Sequence, residues 1–220
     1  MTDKAAVVLS GGQDSTTCLY WAIDRFGRDN VAAVSFDYGQ RHRIELECAA
    51  QVAAHAGVPQ TELPIGTFSA LGRNALTDQG IEVGADNDDA LPATFVPGRN
   101  LIFLTFAAAW CWPRGITNIV TGVAQTDYSG YPDCRQDTID ALATALNLGM
   151  ERQFTLHTPL MMLSKKDTVL LARDLGGLDA LALTHTCYEG QRPPCGRCQA
   201  CELRAKGFNE AGIKDPLLLQ

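Results

Sequence analysis

No run of apolar residues in this sequence is long enough to cross a bilayer; the longest, Leu101 to Trp112, falls well short. Ahead of the first glycines only the stretch Ala5 to Leu9 is continuously apolar, too little for the core of a secretory signal, so a cytoplasmic protein without a membrane partner is expected. Basic charge is not in excess either. The formal net charge of -7 argues against a broad electrostatic footprint on nucleic acid and favours a small-molecule substrate. Repeats, low-complexity tracts and a linker sharp enough to divide two large domains are also missing. The 220 residues therefore suit one domain with a well-buried core and a small appendage. Nor are the cysteines distributed like a disulfide framework: of eight, four crowd between Cys187 and Cys201, which points to a metal site plus reduced thiols.

One further absence is chemical. The string Leu9-Ser10-Gly11-Gly12-Gln13-Asp14-Ser15 follows an apolar run and opens an amphipathic one, yet no lysine follows its glycines as in the GxxxxGK[ST] loop. Gly11 and Gly12 can take positive φ and bring backbone N–H groups near a ligand, Ser10 and Ser15 add hydroxyls, and the next helix presents its positive end. A strand, an anion-binding turn and a helix are expected here. A distant cation must then complete the phosphate site. The alternative is an ordinary strand-to-helix turn.

Further along, Cys18, Leu19, Ala22, Ile23 and Phe26 repeat at helical spacing up to Gly27. Val31 to Phe36 reads as a buried strand, and Ile44 to Ala56 as a helix closed by Gly57. This order predicts an α/β fold, a doubly wound and mostly parallel sheet with helices on both faces and ligands at the carboxyl ends of the strands. Between Gly66 and Pro97 the periodicity fails, so a long connection is expected. Leu101 to Trp112 is apolar all round, as in a buried helix, and ends at Pro113 and Gly115. Ile116 to Val123 is a strand candidate that carries Gly122 near its end, and Ala124 to Arg135 is a polar, aromatic loop. A helix from Gln136 to Leu148 is expected to stop at Gly149, followed by a short strand, Phe154 to Thr158. Ser164 and Asp167 form a capping-box pattern for a helix from Lys165 to Leu175. A last helix runs from about Gln199 to Ala211.

Cys187, Cys195, Cys198 and Cys201 give a C-x7-C-x2-C-x2-C pattern whose thiolates can close a tetrahedron around zinc. A site closed by four sulfurs leaves no place for water, so its role is structural. The spacing also fits an iron–sulfur run, and His185 can replace one cysteine. Cys18, Cys48 and Cys111 fall on apolar helical faces as core residues. Cys134, in the polar loop, is either a nucleophile or a packed loop residue. His55 and His157 lie within regular elements and read as structural.

The opening string resembles the SGGxDS pyrophosphatase loop of the adenylating ATP enzymes, whose fold is of the adenine-nucleotide alpha-hydrolase type. Tyr38-Gly39-Gln40-Arg41-His42, Pro97-Gly98-Arg99-Asn100, Tyr128 to Arg135, Thr158-Pro159-Leu160 with Leu163-Ser164-Lys165, and the cysteine knuckle together resemble the 7-cyano-7-deazaguanine synthase family over nearly the whole chain. That resemblance implies a ligase that uses ATP and ammonia to turn 7-carboxy-7-deazaguanine into the nitrile precursor of queuosine. It further implies magnesium, one structural zinc and a homodimer. It divides the chain into an ATP-binding domain, residues 1–183, and a zinc-binding segment, 184–220. In that scheme Leu9 to Ser15 and Gly122 bind the nucleotide, Asp14 reaches magnesium, and Lys165 is the distant cation, with Arg99 beside it in catalysis. Arg41 and His42 contact phosphate or carboxylate, while Asp127, Tyr131, Asp133 and Arg135 form the deazaguanine pocket. Read without the resemblance, the last four are a polar loop turned by Gly130 and Pro132, and Arg41, His42 and Arg99 are surface charges. Two other functions compete: sulfur transfer to tRNA, which needs poised cysteines and a basic surface, and a nucleotide-sensing module without turnover.

Overall fold

The computed structural model describes residues 3–40, 42–67, 95–126 and 131–219. Five parallel strands, β1 (Ala5–Val8), β2 (Val31–Asp37), β3 (Gln60–Pro64), β4 (Asn118–Val120) and β5 (Thr155–His157), lie in the order β3-β2-β1-β4-β5. In the centre Ala5 pairs with Val31 on one side and Asn118 on the other. Alternate residues of β1, β2 and β4 feed different cores, as the two-residue period of a strand requires. Ala6, Val34, Phe36 and Ile119 pack against α3 (Arg99–Cys111) and α4 (Gln136–Met150). Ala5, Val7, Ala33 and Val120 pack against α1 (Gln13–Phe26) and α2 (Ile44–Ala56). The doubly wound parallel sheet expected from the sequence is present, and the strand order reverses between β1 and β4. A crevice opens there at the carboxyl ends of the strands.

Several boundaries differ from the sequence reading, each for a physical reason. β3 has no apolar signature; it is an edge strand that ends on Pro64, defined by its pairing to β2 rather than by its own propensity. The strand expected over Ile116 to Val123 shrinks to Asn118–Val120. α3 is not buried all round: Thr105, Phe106 and Ala109 face outward, because only one of its sides meets the sheet. α4 runs through Gly149 to Met150 and ends where Glu151 takes a left-handed φ of 49°. α5 (Lys165–Asp174) starts at the capping box, with Ser164 accepting from the Asp167 N–H at 3.2 Å. Most of the Gly66 to Pro97 connection, residues 68–94, lies outside the described residues.

The C-terminal segment is bound tightly to the sheet domain. α6 (Gln199–Ala211) packs on α5, and Phe208 joins Val169, Ala172 and Leu181 in a small core. Beneath it Arg204 is 4% exposed with every N–H donor engaged. Its guanidinium donates to both carboxylate oxygens of Asp215 at 2.6 and 2.8 Å, to the Thr184 and Thr186 hydroxyls, and to the Leu181 carbonyl.

Candidate active site

The turn after β1 brings the phosphate loop to the crevice. Gly11 has a φ of 83°, and a side chain there would run into the Glu45 carbonyl of α2, so the loop rests on that helix without intervening atoms. A Cβ at Gly122, just after β4, would lie 3.1 Å from the Asp14 carbonyl carbon and the Ser15 nitrogen, which is how closely the end of β4 approaches the first turn of α1. Within the loop Ser15 Oγ accepts from the Ser10 N–H at 3.2 Å and donates to the Gly12 carbonyl at 3.1 Å. α1 starts at Gly12 without a side-chain cap, so its positive end is left for another acceptor.

Lys165, the first residue of α5, reaches across to Asp14 Oδ2 at 2.6 Å. A lysine far along the chain thus stands beside a loop that has none of its own. Asp14 Oδ1 and Gln13 Nε2 are buried beside it with no partner, one acceptor and one donor aimed at a ligand. This pairing of open groups suits phosphate oxygens and a metal-bound water. Ser10, Gly12, Gln13, Asp14, Ser15, Gly122 and Lys165 all line one cavity of about 310 Å³. Leu9 is fully buried beneath it, and Gly11 serves the contact with α2.

The far end of the same cavity is aromatic and cationic. Arg99 lines it together with Tyr38, Asn100, Phe103, Tyr131 and Tyr188. Burial opposes the charge of Arg99, but the oxygens of Tyr38, Tyr131, Asp133 and Tyr188 outweigh it and hold the guanidinium above its ordinary pKa. Burial likewise pushes the Tyr38 hydroxyl up to about 12 although Arg99 donates to it. Arg99 is thus a fixed cation in a pocket of rings, suited to a flat anionic heterocycle. Glu45 also lines the cavity and was not singled out in the sequence. Burial raises its carboxyl to about 7, with Arg99 restraining the rise.

Other expected contacts are placed differently. Asp133 is 4% exposed and is not a lining residue; its Oδ2 accepts from the Asn100 N–H at 3.0 Å and so caps α3. Its position holds Arg99 rather than facing the cavity. Arg135 is exposed at the start of α4, away from the lining, and the His42 ring lies against Gly190. Arg41 and Asp127 lie outside the described residues. Cys134 does line the cavity, with its sulfur accepting from Asn100 Nδ2 at 3.3 Å, and it is the one cysteine among the described residues that does.

The sulfur atoms of Cys187, Cys195, Cys198 and Cys201 lie within 4.8 Å of one another. Cys195 and Cys201 are 3.9 Å apart, close to the roughly 3.8 Å edge of a zinc–thiolate tetrahedron with bonds of about 2.3 Å. The Cys195 and Cys198 N–H groups donate to neighbouring sulfurs. N–H donation from Arg197 and Cys198 takes the Cys195 thiol down to about 6, while burial drives Cys201 up. The four-cysteine cluster fits a zinc site. His185 is outside it: its Nε2 bonds the Cys187 carbonyl and its N–H donates to the Gly11 carbonyl, tying the knuckle to the phosphate loop.

Comparison with known proteins decides the family. The sequence model of the family described as "Queuosine biosynthesis protein QueC" matches residues 4–212. The chain belongs to the QueC family. Among curated relatives, the 7-cyano-7-deazaguanine synthase of Chromobacterium violaceum is 67% identical over 98% of this chain and 93% of its own length. That of Laribacter hongkongensis is 68% identical over 98% and 94%, and that of a Bradyrhizobium strain, BTAi1, 55% identical over 94% and 93%. A solved structure, described as a predicted subunit of a tRNA methyltransferase from Methanocaldococcus jannaschii, aligns with a TM-score of 0.51 at 17% identity. It covers 78% of this chain and 74% of its own, a likeness of fold alone. No helix among the described residues is long and apolar enough to cross a membrane.

Proposed function

We propose that this QueC-family chain is a 7-cyano-7-deazaguanine synthase, an ATP-dependent carbon–nitrogen ligase that acts on 7-carboxy-7-deazaguanine and ammonia. One observation carries the reading: an open phosphate loop with its cation and an Arg99-centred aromatic pocket share a single cavity. A carboxylate resists ammonia because its oxygen is a poor leaving group. Transfer of adenylate to that oxygen removes the obstacle, ammonia yields the amide, and a second activation of the amide oxygen yields the nitrile. One site serves both activations, since each begins with an oxygen attacking phosphorus.

In this scheme the α1 N-terminus, Ser10, Ser15 and Gln13 hold the phosphates, and Lys165 offsets charge as the bond to pyrophosphate breaks. The Oδ1 of Asp14 suits a magnesium ion, which supplies further charge neutralisation when bound. Arg99 holds the substrate carboxylate and the tyrosine rings stack on its base. Residues 1–183 form the ATP-binding domain and 184–220 the zinc-bearing segment that braces it. The outward Phe106 of α3, Trp112 beyond it and Leu148 of α4 give this pair of helices an apolar outer surface suited to a second copy in a cytoplasmic homodimer.

Sulfur transfer to tRNA fits less well, because the clustered cysteines sit in the knuckle and Cys134 stands alone in the cavity. Purified protein given ATP, magnesium, ammonium and 7-carboxy-7-deazaguanine is expected to release the nitrile, seen by mass spectrometry. Substrate returned intact would sink the assignment.

A further inference from the structure

Every N–H bond of the ammonia that enters the reaction is gone from the nitrile that leaves it. The site therefore needs a proton acceptor beside the reacting carbon. Most groups around the cavity are unsuited. Asp14 is paired with Lys165 at the phosphate end. Burial lifts the Tyr38 and Tyr188 hydroxyls above their ordinary range, so neither is a phenolate near neutrality. His185 donates Nε2–H to the Cys187 carbonyl, and burial lowers its pKa and weakens Nδ1 as an acceptor, while the Cys134 sulfur already accepts from Asn100.

Glu45 differs from each of these. It lies in the first turn of α2, and that turn rests directly on the phosphate loop, where a Cβ at Gly11 would meet the Glu45 carbonyl and stand 2.7 Å from the Ala49 nitrogen. Glu45 lines the cavity together with the loop residues and Arg99. No described residue donates a hydrogen bond to its carboxylate; burial and the Arg99 charge are what act on it. Arg99 of α3 is the charged group that bears on it. Tyr38 beyond β2 and Cys48 further along α2 face it as neutral groups, and Arg192 reaches Cys48 from the C-terminal segment. Asp14, Lys165 and His185 line the remainder of the cavity.

We propose that Glu45 is the general base of the site, the group that takes the protons shed by nitrogen as the amide and then the nitrile form; this rests on the reaction proposed above. In the first step the carbon–nitrogen bond forms as the carbon–oxygen bond to adenylate breaks. The bonding pair leaves with AMP, and an N–H proton passes to Glu45. In the second, the activated amide oxygen departs with another AMP. The electron pairs of the remaining N–H bonds stay to build the triple bond, and their protons pass in turn to Glu45 and on to water. A carboxyl held near 7 can accept each proton and release it again close to neutral pH.

Two readouts separate this from the parent reaction. Exchange of labelled pyrophosphate into ATP, dependent on 7-carboxy-7-deazaguanine, reports adenylation alone, and nitrile release reports the whole sequence. Glu45→Gln is expected to keep exchange but lose about 10²-fold or more of nitrile formation, with Glu45→Asp recovering part of it. At constant free ammonia the parental rate falls as pH drops through about 7, since the base must be deprotonated, and Glu45→Gln lacks that limb. Glu47→Gln, exposed on the same helix, matches the parent. A folded Glu45→Gln with the parental nitrile rate and pH limb overturns the assignment. Loss of exchange together with nitrile formation overturns it too, because Glu45 then acts in adenylation. Absence of exchange in the parent overturns the synthase reading itself.

Discussion

The two sides of the cavity treat their polar groups in opposite ways. On the C-terminal side Arg204 matches all its donors, its carboxylate partner Asp215 is 7% exposed at the side chain, and Asp215 also accepts from the Leu217 N–H. On the phosphate-loop side Gln13 Nε2 and Asp14 Oδ1 are buried with no partner, and α1 begins uncapped. A buried polar group left unmatched costs about 1–3 kcal/mol, so the loop side is less stable than its composition allows. Matched groups gather on the C-terminal side, and buried donors and acceptors without described partners gather at the loop.

Cutting the matched side should give the largest effect. Arg204→Leu leaves Asp215 buried without its cation and strips Thr184, Thr186 and the Leu181 carbonyl of a donor. A loss of about 3–5 kcal/mol in unfolding free energy is expected, read from the shift in urea midpoint at unchanged slope. A variant as stable as the parent would mean that these bonds form at no net gain, and the contrast between the two sides would fail.

How much of this contrast was legible in the sequence depends on the range over which each partner acts. The loop with its contiguous glycines and serines before a helix, and the start of α5 at its capping box, were readable because each signal is local. The fold class followed from the apolar runs of β1 and β2. β3 was not readable, since Gln60-Thr61-Glu62-Leu63-Pro64 carries no alternation of its own and becomes a strand only by pairing to β2. Asp133 looked like a ligand for the base because nothing local says that the α3 N-terminus, distant in sequence, needs a cap. Arg204 and Asp215 gave no signal either, as neither sits in a motif. Glu45 had a signal that was available: it follows the loop at the end of β2 in the first turn of a helix, the position at which α/β sheets gather their ligands.

Lys165→Met tests the open side and should reverse the pattern of Arg204→Leu. Removing a cation aimed at charge that develops in the transition state is expected to lower kcat by about 10²–10³-fold. The ion pair with Asp14 is partly exposed, 16% and 30% at the two side chains, so its stability contribution is only about 0–1 kcal/mol. Steady-state rates and a thermal melt on the same preparation make the comparison. A variant that melts much earlier but turns over normally would place Lys165 among the structural groups.

The seam between the two sides is Gly207, and there the expected effect is smallest. A Cβ on this α6 residue would stand 2.9 Å from Lys165 Cβ and 3.0 Å from the Lys165 carbonyl carbon and oxygen, so α6 presses on the backbone that carries Lys165. Gly207→Ala gains about 0.5–1 kcal/mol of helix stability. The same methyl overpacks the contact at a cost of about 1–3 kcal/mol, because backbone cannot rotate away as a side-chain tip can. The net change in stability is therefore a modest loss, read as a small drop in Tm. The rate should respond more, since displacing α5 by a few tenths of an ångström moves Lys165 relative to the phosphate loop. Equal changes in rate and stability would show that the seam does not transmit position. A fall in kcat with KM and Tm nearly unchanged would show that the matched side sets where the open side holds its charge.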